Sequence, residues 1–453
     1  MGTVGLSFGS PTGGTGFDVS STVSQIVDNM RTVETPWKNQ LTSLQAKDTA
    51  LSAIGTDLSS LSTAMQTLSD FTGVLSQKEG SSSDTGVLQL TSAASNAVAG
   101  THTVVVSQLA QTAAYVSSTI SNASDTLSGT LIINGQSINA SNMTLSSLAS
   151  AINSGSYGVT ANVITDSTGT RLALVSATSG AAGNITINSS SLTDAATSMS
   201  VNITQSQPGQ DAQLTVDGIS VASSSNTVTN AIQGVTFQLL SANKTESVQI
   251  VITNNTSSVE SAMGTFVSTY NKVISDLNTQ EGNDASGNAE PLFGSSVLAT
   301  LQQSVQQALI FTQGTGSITS ITQLGISMNN DGTLSINGDT LDSVLNTNFS
   351  DVVNFFEPSA SFASFGGNFS TVLNGLGNTA PYGVVYLALQ EDSKTESQLN
   401  TNITNEETVI SAKQTQLTTD LNEANYTLTS IPQQLDQINQ IYSAITGYNQ
   451  SKG

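Results

Sequence analysis

Two seams of hydrophobic residues in heptad spacing, one toward each end of the chain, limit what this sequence can fold into. Leu44, Leu51, Ile54, Leu58, Leu61, Met65 and Leu68 recur at alternating intervals of three and four, with Lys47 as the interruption. Toward the other end, Ile403 and Ile410 open a second seam. Leu417, Leu421, Ala424, Leu428, Ile431, Leu435, Ile438, Tyr442 and Ile445 carry it on. The flanking Ser, Thr, Gln and Asp are poor helix formers, about half a kcal/mol each below Ala. Neither helix is expected to hold alone, so each needs a partner to bury its stripe. The matched spacing predicts that the two seams pair: the chain leaves a coiled-coil stalk, folds a head, and returns. A third amphipathic helix precedes them, with Phe17, Val19, Val23, Ile26, Val27 and Met30 marking its apolar face and Pro36 ending it.

Between the seams the period falls to two. Val87–Leu90, Thr103–Ser107 and Ala113–Thr119 read as strands. "TLIINGQSI" is a hairpin, with Asn134-Gly135 supplying the positive φ angles of a type I′ turn. A short helix over Leu145, Leu148, Ala149 and Ile152 follows, then strands Val159–Ile164 and Leu172–Ser176. "QLTVDGISV", turning at Asp217-Gly218, starts the same plan again, with a helix expected near Val228–Ile232 and a strand at "GVTFQLL". This reads as a duplicated hairpin–helix–strand unit. From Ser257 the chain returns to helix. Ser257 and Glu260 are placed as a capping box, and Val259, Met263, Phe266, Tyr270, Ile274 and Leu277 share one face. Val297, Leu301, Val305 and Ala308 form another.

At 453 residues the chain exceeds one hydrophobic core. The expected fold class is α+β and multidomain: a terminal α-helical coiled-coil or bundle leg with nested insertion of two β-rich head domains. Residues 1–40 are a disordered start and terminal helix, and 41–80 the first leg helix. Residues 81–112 with 206–256 form an inner head, into which an outer head, 113–205, is inserted. Residues 257–400 are a helical leg domain with a hairpin at 324–338, and 401–453 the C-terminal coiled-coil helix.

Composition excludes several functions. A formal charge of -22 argues against nucleic acid and against an anionic membrane. No stretch approaches the roughly 20 apolar residues that span a bilayer, and "GTVGLSFGSPTGGTG" lacks the charged and apolar regions of a secretory signal. The absence of cysteine removes thiolate chemistry and disulfides. His102 is the one histidine, at a strand entry, and is read as structural. There is no phosphate-binding GxxxxGK[ST] motif. No catalytic residue, cofactor or metal is expected.

One stretch imitates a metal site. "LGISMNNDGTLSINGD", Leu324–Asp339, has the asparagines, aspartate and glycine of a calcium loop. Counting back from Gly332 places Ser327, Asn329 and Asp331 at the early ligand positions, and counting forward places Gly338 where a bidentate Glu is needed. The closing carboxylate is missing, so the stretch is read as a hairpin, turned at "NNDG", that leads into a Leu-rich helix.

With its continuation to Phe355-Phe356, this stretch resembles the C-terminal signature of the flagellar filament cap family, flagellar hook-associated protein 2 (FliD). "GTGFDVSSTVSQIVDNMRTVETPWKNQL" is similar to that family's N-terminal signature, with Phe17 in place of an aliphatic residue and an unusual Trp37. "ASNAVAGTHTVVVSQLAQTAAYVSS" resembles the strands after its first coil. The resemblance implies a homo-oligomeric ring at the distal tip of the bacterial flagellum, reached by type III export, that retains flagellin and promotes its polymerisation. It implies as partners further copies of the chain, flagellin, hook–filament junction proteins and a cytoplasmic export chaperone. The terminal helices would be legs and the β units a plate. The alternatives are a flagellin, a junction protein, or a tip adhesin that binds host surface glycans.

Overall fold

The computed structural model describes residues 15–359, 363–377 and 379–447. Helix α1 (Val19–Arg31) begins where the Asp18 carboxylate accepts the Ser21 N–H at 3.1 Å. Helix α2 (Thr35–Ser69) carries Pro36 in its first turn, where an amide hydrogen has no intrahelical acceptor. The expectation of a disordered start falls, for residues 1–14, outside the described residues.

After α2 come β1 (Lys78–Ser82), β2 (Leu88–Ala93), β3 (Gly100–Gln108) and β4 (Thr112–Ser117). Then follow β5 (Leu127–Ser128), β6 (Thr130–Ile133), β7 (Gln136–Asn139), α3 (Leu145–Ser154), β8 (Val159–Asp166) and β9 (Gly169–Ser179). The return path is β10 (Ile187–Asn188), β11 (Thr193–Asp194), β12 (Ile203–Gln207), β13 (Ala212–Val216), β14 (Ile219–Ser223), β15 (Thr227–Ile232), β16 (Val235–Leu239) and β17 (Asn243–Asn254). Helices α4 (Thr256–Gln280) and α5 (Ser296–Leu309) lead to the hairpin β18 (Ile326–Met328) and β19 (Leu334–Ile336). The order ends with α6 (Gly338–Thr347), α7 (Phe349–Phe356), α8 (Phe365–Leu376) and α9 (Val384–Thr446). The helical termini and multiple sheets make the fold α+β and multidomain.

The chain divides into two compact units. One joins the segment up to Gln66 with Gly264–Val344 and the segment from Ser350. The other is Thr67–Met263 with Leu345–Phe349.

The second unit holds two hydrophobic cores. One draws on residues from Ala113 to Val201, where the sheet β12-β4-β9-β8 buries Leu172 and Leu174 under α3. The other draws on Val87–Ala110 and Ala212–Ile252, between the sheets β1-β17-β3-β13-β14 and β15-β16-β2. The hairpin turns are as the sequence predicts: Asn134 and Gly135 have φ of 49° and 79°, Asp217 and Gly218 of 51° and 82°. The duplicated unit is not as predicted. Val228 and Ile232 lie on a strand, β15, with Val228 opposite Phe237. Four residues are one helical turn or two strand periods, and the β-branched Thr227 and Thr229 favour the second. The start of α4 also differs. Asn255, rather than Ser257, caps it, accepting the Ser258 N–H at 3.0 Å.

A chain this poor in charge needs neutral groups to satisfy its buried backbone, and four asparagines do so in the same way. Each side-chain amide both donates to and accepts from one backbone residue, standing in for a neighbouring strand. Asn153 clasps Ala161 (2.7 and 2.7 Å). Asn184 clasps Gly209 (3.0 and 2.9 Å). Asn226 clasps Ala110 (3.0 and 2.8 Å) and Asn271 clasps Leu334 (2.8 and 2.6 Å). Asn226→Asp keeps the shape but turns one donor into a second acceptor facing the Ala110 carbonyl. It is expected to destabilise the β-rich unit by about 2 kcal/mol. An unchanged urea midpoint for that unit would contradict the clasp.

Candidate assembly surface

The N-terminal helix and the second seam meet each other. Val19, Val23 and Val27 pack with Ile410, and Phe17, Met30, Leu417 and Leu421 surround them. Ile26 is half-buried beside this contact. The Phe17 N–H donates to Asn425 at 2.9 Å, and Arg31 pairs with Glu407 at 3.1 Å. Glu34 is fully buried and holds Lys38 at 2.6 Å. α1 therefore lies along α9, fixed at both ends by polar contacts.

This departs from the expected pairing of the two seams. Leu51, Ile54, Leu58, Leu61, Met65 and Leu68 are at most 2% exposed, and Leu44 is half-buried. Within its own unit, however, α2 meets other elements. Lys47 reaches Asp392 near the start of α9, Asp57 reaches Lys272 of α4, and Leu58 lines a 130 Å³ cavity with Leu373 of α8. α9 is also longer than expected, a single 63-residue helix that begins at Val384 rather than near residue 401. Its first turns, with no heptad signal strong enough to stand out, supply the contact to α2. The heptad turns further on are left for α1.

Beyond α1 the seam of α9 is open among the described residues. Ile403, Leu428 and Ile431 are half-buried. Leu435, Ile438, Tyr442 and Ile445 are 45%, 60%, 47% and 79% exposed, and Ile441 beside them is 60% exposed. From Leu428 to Ile445 this stripe runs about 25 Å at 1.5 Å per residue. Contiguous exposed apolar surface of this kind marks a contact surface. Pro432 sits inside the same segment. It removes a helical hydrogen bond, a loss of roughly 3 kcal/mol, so the stripe rides on the weakest part of the helix.

The suspected metal loop is a strut. Ile326 pairs with Ile336 and Met328 with Leu334. Asn271 clasps Leu334, and Asn278, two turns further along α4, donates to the Asp331 carbonyl at 2.9 Å. The Asp331 carboxylate accepts from the Thr333 hydroxyl (2.6 Å) and N–H (3.0 Å), which hold its pKa below the usual range. Gly332 takes φ of 83°, closing the turn. Among the described residues no group of three His, Cys, Asp or Glu is placed to hold a metal. In the same unit, Phe355 stacks on Phe365 at 4.8 Å, and Phe369 meets Phe266 of α4 edge-on at 5.4 Å. His102 is also structural in geometry. Its Nδ1 lies 2.8 Å from the Asp217 carboxylate, which also accepts the Thr103 N–H at 2.8 Å.

The described residues thus combine a helical unit, with an exposed apolar stripe on α9, and a β-rich unit with two cores. Comparison with known proteins gives the family. Residues 15–113 match the N-terminal part, and residues 209–446 the C-terminal part, of the family described as flagellar hook-associated protein 2. The B-type flagellar hook-associated protein 2 of Pseudomonas aeruginosa is 27% identical over 302 residues, 58% of this chain and 63% of that protein. The flagellar hook-associated protein 2 of Escherichia coli (strain K12) is 26% identical over 368 residues, 75% of this chain and 78% of that protein. The crystal structure of the D1-D2-D3 domains of the flagellar cap protein FliD from Escherichia coli aligns with a TM-score of 0.57 at 25% identity. It covers 76% of this chain and 99% of that one. The chain belongs to the flagellar hook-associated protein 2 family.

Proposed function

We propose that the protein caps the distal end of a bacterial flagellar filament as a ring of identical copies, retaining exported flagellin and promoting its polymerisation. The observation that carries this reading is the alignment with nearly the whole D1-D2-D3 region of the Escherichia coli flagellar cap protein. Such work needs no covalent chemistry. It needs a body that blocks escape and contacts that release and reform as the lattice grows.

The open stripe of α9 supplies the second requirement. Each of its large apolar residues gains about 1.5–3 kcal/mol on full burial, enough together to dock a leg. A helix of weak intrinsic propensity, lacking one hydrogen bond at Pro432, melts readily when the contact is lost. The exposed seam from Leu428 to Ile445 is the proposed assembly surface, while the seam residues from Leu44 to Leu68 and from Ile403 to Leu421, with Phe17 to Met30, are proposed to hold the leg together from within. The nested division, with residues 113–205 as an outer head inserted in an inner one, is proposed as the plate. The partners proposed are flagellin, the hook–filament junction proteins and an export chaperone, and the location is the filament tip after export. A chain without cysteine suits passage in an unfolded state. Electron microscopy of filament tips in strains with and without the protein tests this reading.

A further inference from the structure

Helix α2 carries two carboxyl clusters on its flanks, each served by a single lysine. Toward α9, Asp48 faces Asp392 and Glu396, and Lys47 Nζ lies 3.1 Å from each oxygen of Asp392. Asp392 is 5% exposed, and Asp48 Oδ1 and Glu396 Oε1 are buried without a hydrogen-bond donor. Toward α4, Lys272 bridges Asp57 (3.2 Å) and Asp276. In each cluster carboxylates outnumber the ammonium that could neutralise them. Helices α5 and α8 contribute no titratable side chain, and Glu391 and Lys394, next to the first cluster in α9, point to solvent.

Two ionised carboxylates in contact offer acceptors only. One proton converts that repulsion into a donor–acceptor hydrogen bond, and it removes a poorly solvated charge. We propose that the first cluster is a proton-operated clasp, which grips α2 against α9 at mildly acidic pH and loosens as the pH rises toward neutrality. The electrostatics agree. Burial, then Asp392 and Glu396, hold the Asp48 carboxyl up at about 6. Burial and then Asp276 also raise Asp57. Burial acts on Asp276 in the same direction, but its hydrogen bonds with Asp57 and Lys272 outweigh it and set it below the ordinary value. Asp57 and Asp276 titrate as one pair, and their opposite shifts oppose each other in the pH dependence.

The sign follows from the raised native pKa. Between 3.8 and about 6 the folded protein binds a proton at Asp48 that the unfolded chain does not. The stabilisation is complete near the bottom of that window and is lost as the pH rises through about 6.

Hydrogen exchange of the full-length protein, corrected for intrinsic rates, tests the proposal without reference to motility. Protection of α2 amides is expected to fall about tenfold from pH 5 to 7.5, the effect of one pKa unit. Asp48→Asn should remove most of that slope, and Lys47→Gln should move its midpoint upward. In the wild type, the infrared carbonyl band of a protonated carboxylic acid should be present at pH 5.5 and gone by pH 8. The same slope in wild type and Asp48→Asn, a midpoint unmoved by Lys47→Gln, or no such band at pH 5.5 would each overturn the clasp.

Discussion

Replacing Leu51 and Leu58 with Asp is expected to unfold the helical unit while the β-rich unit stays folded. Both leucines are at most 1% exposed, on the inner face of α2. Each substitution removes a buried side chain and places a carboxylate in the apolar interior, a loss of roughly 3–5 kcal/mol. The pair together reaches the 5–15 kcal/mol that typically holds a domain. The cores at Ala113–Val201 and at Val87–Ile252 contain neither residue. Circular dichroism should therefore lose most of its helical signal and keep its β signal. Loss of both signals together would show that the units do not fold separately.

Removing the chain from Ile403 onward is expected to abolish filament growth altogether. That segment contains Ile410, Leu417 and Leu421, the partners of Val19, Val23 and Val27, so α1 would lose the surface it is packed on. It also contains the whole open stripe from Leu428 to Ile445. Arg31 and Lys38 would lose Glu407 as well, though surface ion pairs of this kind contribute at most about 1 kcal/mol. In a strain whose only copy is the truncated chain, flagellin should be recovered from the medium instead of from filaments. Normal filaments in that strain would remove the legs from the account.

Local chemistry made much of this fold legible. The turns at Asn134-Gly135 and Asp217-Gly218 require positive φ, and few residues but glycine and asparagine supply it cheaply. The face of α4 from Val259 to Leu277 repeats for about five turns and is buried throughout. The errors arose where two periods coincide or where the partner is distant. Val228 and Ile232 fit a helix or a strand, and the pairing with β16 decided between them. Strand β17 opens with "NKTES", too polar to announce a strand; of these five residues Asn243 alone is paired, with Val106 of β3, and the ladder resumes at Val248.

The choice of partners for the seams was the deepest miss. Heptad spacing states that a face is buried, and it carries no information about which helix covers it. Lys47, which read as a blemish in the first seam, marks the contact to Asp392 and so to the first turns of α9. The asparagine clasps were illegible for the same reason: one asparagine among many looks like loop, and only the fold brings Asn226 to Ala110.

Imaging of filament ends tests the central claim most directly. Cells lacking this protein, and the same cells restored with a gold-labelled full-length chain, should be compared by electron microscopy. The account predicts bare hooks and shed flagellin in the first, and in the second full filaments with label confined to the distal tip. Full-length filaments without the protein, or label spread along the shaft, would contradict it.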